Sequence, residues 1–347
     1  VAKKLADSML ELNRAQSHEY KSKKAIEWRR RYRSEHPTAI ADTECMDGRV
    51  HVPLAAGFPA GVFFTFQSLG GAFDFSVPYF GETLRLWIEQ AIAQKRDALI
   101  LNTYHFSKGD THRGCAGYGY DTQAALAGTE KLRAELASVF AKGKSSVFVV
   151  LLGIETDEDA FVVHSKKGKF SVADDLDISQ KDLLVKLGAL FPDMPPRVVR
   201  DLAFLLEGNI RHVKELRARP RTVTQMIHGE QVIAVGRGLS WIHEYNRALC
   251  IGPWTNDLGG AVSTAAGIVF GSLKAGRIPK EEGALLLISA QCADGSSLAL
   301  ALAQEEARAL MKYCLGVITE RVPDLTKSLT VLAGTFDPKT RLFTPLE

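Results

Sequence analysis

Apolar side chains first recur at helical spacing. Leu5, Met9 and Leu12 share one face of residues 1–37, charged residues fill the rest, and His36-Pro37 breaks the run. From Thr38 the pattern turns to strands alternating with helices. Ala39 to Ala41 and GVFFTFQ (Gly61 to Gln67) predict strands. Leu84, Trp87, Ile88 and Ala91 fall on one helical face. ALILNTYHF (Ala98 to Phe106) runs apolar without alternation, as a strand buried on both faces does. Asp121 to Phe140 predicts a long helix with Leu132, Leu136, Val139 and Phe140 inward. Ser145 to His164 predicts a strand, a polar turn and a returning strand. This order implies an α/β fold whose mixed, mostly parallel sheet is flanked by helices.

A helical stretch follows, interrupted at PDMPP (Pro192 to Pro196), and then the order of elements returns. SLGGAF at Ser68 is answered by DLGGAV at Asp257, and DALILNTYHFSKGD at Asp97 by GALLLISAQCADGS at Gly283. The strand pair from Ser145 is answered by KSLTVLAGTFDPKTRLF at Lys327. Because both order and kind repeat, the second half reads as a diverged copy of the first.

Composition narrows the class without naming a function. Hydrophobic residues at 46% and charged residues at 24% are those of a soluble globular protein. A net charge of +3 gives no reason to expect nucleic acid or an anionic membrane as partner. The one basic run, KSKKAIEWRRRYR (Lys21 to Arg33), reads as the solvated face of a helix, with docking to an acidic partner as the other reading. No apolar run approaches the roughly 20 residues needed to span a bilayer, and the N-terminus lacks a signal-peptide core. Five scattered cysteines are no disulfide framework, so a reducing cytoplasm is the expected home. There a thiol is free to bind metal.

The chemistry gathers around ECMDGRV (Glu44 to Val50). Cys45, Asp47 and Arg49 bring a soft metal ligand, a carboxylate and a guanidinium together just past a strand. YHFSKGDTHRGCAGYG (Tyr104 to Gly119) adds two histidines and Cys115 off the end of another strand. Ligands in such sheets collect beyond the C-terminal strand ends. Two thiolates and one imidazole make a zinc set that keeps a fourth position for water, whose pKa zinc lowers from about 16 toward roughly 7, yielding a hydroxide nucleophile. Arg49 can pair with Asp47 and keep that carboxylate off the metal while it accepts the water's hydrogen. His105 ends a rigid strand, whereas His112, three before Cys115, sits on the SKGDT insertion. The strand end favours His105, and His112 stays the competitor.

C-x-D-x-R followed by a strand-end His and a Cys resembles the β-class carbonic anhydrases, and TFQSLGGAFD sits where that class has a strand ending in Gly-Gly. The closer similarity is to the carboxysome shell carbonic anhydrases, a divergent branch of that class. It lies in CMDGR, NTYHFS, GCAGYG and GIETDEDAFVVH, continues through HGEQVIAVGRG, and covers Thr38 to the C-terminus. The resemblance implies zinc at Cys45, His105 and Cys115, Asp47 and Arg49 as a catalytic dyad, and a contribution from His228. The implied reaction is reversible hydration of CO2 to bicarbonate, with the proton leaving through Asp47 or His228. It further implies a bacterial cytoplasmic protein associated with carboxysomes, a homo-oligomer (dimer or higher), and Rubisco or shell proteins as partners.

The expected organisation is a short helical segment at 1–37 and a zinc-binding catalytic domain at 38–178. A helical connector at 179–226 and a degenerate, metal-free copy at 227–347 complete it. CADGS (Cys292 to Ser296) lacks the Arg of CMDGR, and Cys250 and Cys314 have no ligand at metal spacing, so all three cysteines read as structural. Two other functions share these residues: hydrolysis of carbonyl sulfide or carbon disulfide at the same zinc, and a zinc-stabilised scaffold. A closed four-ligand site would mark the scaffold, but such a site has no use for an Asp–Arg dyad.

Overall fold

Long apolar strands need cover on both faces, and the chain supplies it with two helix-flanked sheets. The computed structural model describes residues 2–141, 146–279, 281–292 and 294–347. Val1, Ser145 and Ala293, which belong to the predicted N-terminal helix, the strand pair and CADGS, lie outside the described residues.

Residues 1–37 form two helices where one is expected: α1 (Ala2–Lys21) and α2 (Lys23–Glu35). The break is at Ser22, whose Oγ accepts the Ala25 amide and so starts a new helix. The first half then holds β1 (Thr38–Cys45), the short α3 (Val52–Ala55), β2 (Phe64–Ser68), α4 (Pro78–Ala93), β3 (Asp97–Phe106) and α5 (Thr122–Phe140). It continues with β4 (Val147–Glu155), β5 (Ala160–Ser165) and β6 (Gly168–Ser171). The sheet runs β2-β1-β3-β4-β5-β6, parallel through β4 and antiparallel beyond.

PDMPP separates α6 (Gln180–Leu190) from α7 (Pro196–Ala218), and α8 (Val223–Met226) leads into the second half. One face of the first sheet packs under α6 and α7, the other under α4 and α5. Val139 departs from its predicted place. It is 53% exposed near the end of α5, where Leu132 and Leu136 already fill the sheet-facing side.

The second half holds β7 (Val232–Gly236), β8 (Ala248–Ile251), α9 (Leu258–Lys274), β9 (Ala284–Gln291), α10 (Ser297–Arg321), β10 (Leu329–Asp337) and β11 (Leu342–Pro345). Its order, β8-β7-β9-β10-β11, repeats that of the first five strands of the other sheet. Helices α9 and α10 cover one face, and Leu5 and Met9 of α1 pack on the other. Asn13 fixes α1 there, donating to the Arg341 carbonyl and accepting the Phe343 amide.

The halves are stitched by backbone. The amides of Asn246, Cys250 and Gly252 donate to the carbonyls of Gly48, Met46 and Gln67 at 2.7, 2.9 and 2.8 Å. The segment after β1 is therefore held by the strand β8 of the other half. Among the described residues, no helix is long and apolar enough to cross a membrane.

Candidate active site

Cys45 is the last residue of β1, and His105 is the penultimate residue of its neighbour β3. Parallel pairing brings both strands out at one edge, so the two side chains converge. Cys115 caps a single helical turn, with its carbonyl accepting the Tyr118 and Tyr120 amides. That loop presses on Leu69-Gly70-Gly71, and a Cβ on Gly117 would stand 2.6 Å from the Gly70 Cα. Only glycine at position 117 allows this approach.

One potential ligand atom from each of Cys45, His105 and Cys115 falls within 4.8 Å of the others, and all three residues are buried. The sulfurs are 4.0 Å apart. Two thiolates bound at about 2.3 Å in a tetrahedral site would lie about 3.8 Å apart, so the pair is spaced for one ion. His105 is 1% exposed, yet neither ring nitrogen has a hydrogen-bond partner. A buried imidazole with two orphaned nitrogens is expensive unless something else binds it. Cys115 and then burial push the Cys45 thiol well above its usual range, while Cys45 pulls Cys115 below it. A bound cation would favour both as thiolates. The donor set fits a zinc ion, which Cys45, His105 and Cys115 would hold.

Beside them stands the Asp47–Arg49 pair. Arg49 Nε and Nη2 donate to the two Asp47 oxygens at 2.9 and 2.6 Å, and its amide donates at 2.9 Å. Arg49 is 1% exposed. Burial opposes the charge on Asp47, but Arg49, His228 and His105 outweigh it and hold the carboxyl well below the usual range. Asp47 Oδ2 lies 4.0 Å from His105 Nε2, which places the carboxylate next to the cluster and outside it.

The second half completes this surround. His228 Nε2 is 3.2 Å from Arg49 Nη2 and 3.8 Å from Asp47 Oδ2. Its Nδ1 faces both oxygens of Glu230, at 3.0 and 3.1 Å. With Nδ1–H donating to Glu230, Nε2 of the neutral ring accepts from Arg49. Burial disfavours the imidazolium, yet Glu230 and Asp47 raise the His228 pKa above its ordinary value. Glu230 Oε1 also accepts the Gly48 amide at 3.0 Å. A Cβ on Gly48 would stand 2.7 Å from the Ala248 carbonyl and 2.8 Å from Glu230, which explains the glycine inside C-x-D-G-R.

The structure thus brings together all six residues singled out in the sequence. His112 stays apart: its side chain is 82% exposed and faces Asp110. Glu230 was missed. An acid two residues after a histidine in a polar stretch reads as solvated, and only the fold shows it fully buried. Its one signal is the i, i+2 spacing that puts it on the side of His228. Glu44, also buried, was missed as well; it anchors the turn by accepting the Val52 amide and the Gln67 side chain.

Residues 39–187 match the family model described as carboxysome shell carbonic anhydrase, catalytic domain. The chain is 28% identical over 240 residues to the carboxysome shell carbonic anhydrase of Prochlorococcus marinus (strain MIT 9313), covering 58% of this chain and 45% of that protein. It is 29% identical over 241 residues to the protein of that name from Parasynechococcus marenigrum (strain WH8102), covering 58% and 40%. The Hydrogenovibrio crunogenus protein of that name is 26% identical over 250 residues, covering 60% and 46%. The matched stretch is therefore under half the length of these relatives. It is also where Cys45, Asp47, Arg49, His105 and Cys115 meet, so the similarity to the carboxysome shell carbonic anhydrases over residues 39–187 includes these five positions.

Proposed function

We propose that this protein catalyses the reversible hydration of CO2 to bicarbonate and a proton, using a zinc ion held by Cys45, His105 and Cys115. The observation that carries the reading is a carboxylate gripped twice by Arg49 and set 4.0 Å from an otherwise unpartnered imidazole. Zinc supplies the Lewis acidity that makes water a nucleophile at neutral pH. Asp47 Oδ2 accepts a hydrogen bond from the attacking water and orients its lone pair toward CO2. Arg49 occupies the other carboxylate lone pairs, so Asp47 stays ionised and does not itself close the site. His228 Nε2 takes the released proton toward solvent, and Glu230 holds the ring by Nδ1. Among the described residues no fourth Cys, His or acid joins the cluster, which favours an open site over a structural one.

The deciding experiment measures zinc content and stopped-flow CO2 hydration on the same purified chain. We expect one zinc per chain and turnover well above buffer. Turnover of carbonyl sulfide without CO2 hydration, or zinc without either activity, would overturn the reading.

The proposal extends to the second half as a metal-free copy. β7, which stands where β1 does, ends in Val235-Gly236 with no thiol. Cys250, Cys292 and Cys314 are buried and free. Cys292→Ser is accordingly expected to leave zinc content and CO2 hydration unchanged, and a metal ratio of two would count against a degenerate copy. Residence in carboxysomes, carried over from the relatives' name, is tested by co-sedimentation with shell particles.

Glu230→Gln keeps size and removes the charge that raises the His228 pKa. The limb of the pH–rate profile governed by His228 should move to lower pH, with activity down roughly 10- to 100-fold and zinc retained. A profile that stays in place would separate Glu230 from proton transfer.

A further inference from the structure

At the junction of both halves with the N-terminal helices lies a cavity of about 450 Å³, lined by none of the six residues assigned above. Its charged lining has one sign. Arg33 comes from α2, Arg96 from the residue before β3, and Arg341 from the turn between β10 and β11. No Asp or Glu is among the lining residues, and among the described residues none of the three arginines forms an ion pair.

Arg341 is 7% exposed, so its cation is almost out of water with no counter-charge. Its Nη2 donates to Ser240 Oγ at 2.9 Å, and Arg96 Nη2 donates to the Thr38 carbonyl at 2.8 Å. The Nε of both has no acceptor, and neither does Trp254 Nε1, whose residue is 6% exposed and lines the same cavity. Burial pulls the Arg341 guanidinium down to about 10, so it stays charged near pH 7. Orphaned buried donors and unpaired buried cations are both arrangements that folding normally avoids. The three arginines line one cavity, with Phe64 and Trp87 as an apolar wall.

We propose that this cleft is a binding site for a small organic anion with two or more oxyanion groups, a phosphate ester or a polycarboxylate. An acceptor-rich anion answers the three arginine charges, for which the cavity lining supplies no acid. Two charged groups are called for because the cations form two poles. Burial and then the neighbouring Arg33 cation lower the Arg96 pKa, whereas Arg341 comes from the turn between β10 and β11 in the other half. The carbon body of the ligand packs on Trp87 and Phe64.

The test titrates the full, zinc-loaded chain with ATP, citrate and inorganic phosphate at fixed ionic strength, followed by calorimetry, with glucose as a neutral control. Saturable one-to-one binding of ATP or citrate, tighter than that of inorganic phosphate, is expected. ATP against citrate distinguishes phosphate ester from polycarboxylate. Arg33→Gln and Arg96→Gln should each weaken binding about tenfold or more, each removing one charged fork. Arg341→Gln should abolish it, and if that buried change prevents folding, the two more exposed positions carry the test. Absence of saturable binding for all three anions, or affinity indifferent to both Arg33→Gln and Arg96→Gln, overturns the proposal.

Discussion

Asp47→Asn is expected to give a protein that binds zinc as the native chain does and hydrates CO2 at least about 100-fold more slowly. The substitution keeps size and shape but turns one carboxylate oxygen into an NH2 group. Arg49 presents Nε–H, Nη2–H and its backbone amide to those atoms, so a donor would face a donor. Arg49, 1% exposed, would lose its counter-charge, and the attacking water would lose its acceptor. Cys45, His105 and Cys115, the proposed zinc ligands, keep all their own atoms, which is why metal analysis and stopped-flow rates should part company. Native turnover in the Asn protein near neutral pH would remove Asp47 from the mechanism.

His105→Ala is expected to lose both zinc and activity, while His112→Ala keeps both. The His105 ring is buried with two unpartnered nitrogens between Cys45 and Cys115, and its loss leaves two sulfurs alone. The fall in metal affinity should exceed the 10- to 100-fold typical of residues that only orient a ligand. His112, on the surface against Asp110, has nothing to hold in that cluster. Metal analysis of the two purified variants decides the matter, and the reverse pattern would transfer the ligand role to His112.

Legibility in the sequence followed the range of the physics involved. Strand ends such as those at Cys45 and His105 are local features, marked by apolar runs that stop. C-x-D-G-R keeps Cys45 and the interacting Asp47–Arg49 pair within one short stretch, and α4, α5 and the β4–β5 pair are marked by their period. His228 was reachable only through family resemblance, since nothing in HGE says that it meets Arg49 across the junction of two halves. Glu230 was not reachable at all, because its partner Gly48 belongs to the other half. The misplaced Val139 has the same origin: periodicity gives the face of a helix but not where the sheet beneath it ends. The break between α1 and α2 was available in principle from Ser22, a capping residue inside a charged run that drew the eye to charge.

Helix α1 gives the chain a problem of timing. It leaves the ribosome long before its packing surface, since Leu5 and Met9 rest on the second sheet and Asn13 is held by Arg341, 328 residues later, and by Phe343. Until the second sheet is made, its apolar stripe has no native surface to meet. Closing so long a loop is slow, and exposed stripes recruit wrong neighbours in the meantime. The charged flank of α1 and the basic run of α2 then act as solubilisers for a nascent chain as well as a surface for the finished one. The Cys45, His105 and Cys115 side chains come together within the first half, whereas His228 arrives only with the second. A product stalled at α8 would therefore carry the proposed ligands Cys45, His105 and Cys115 without His228 and Glu230.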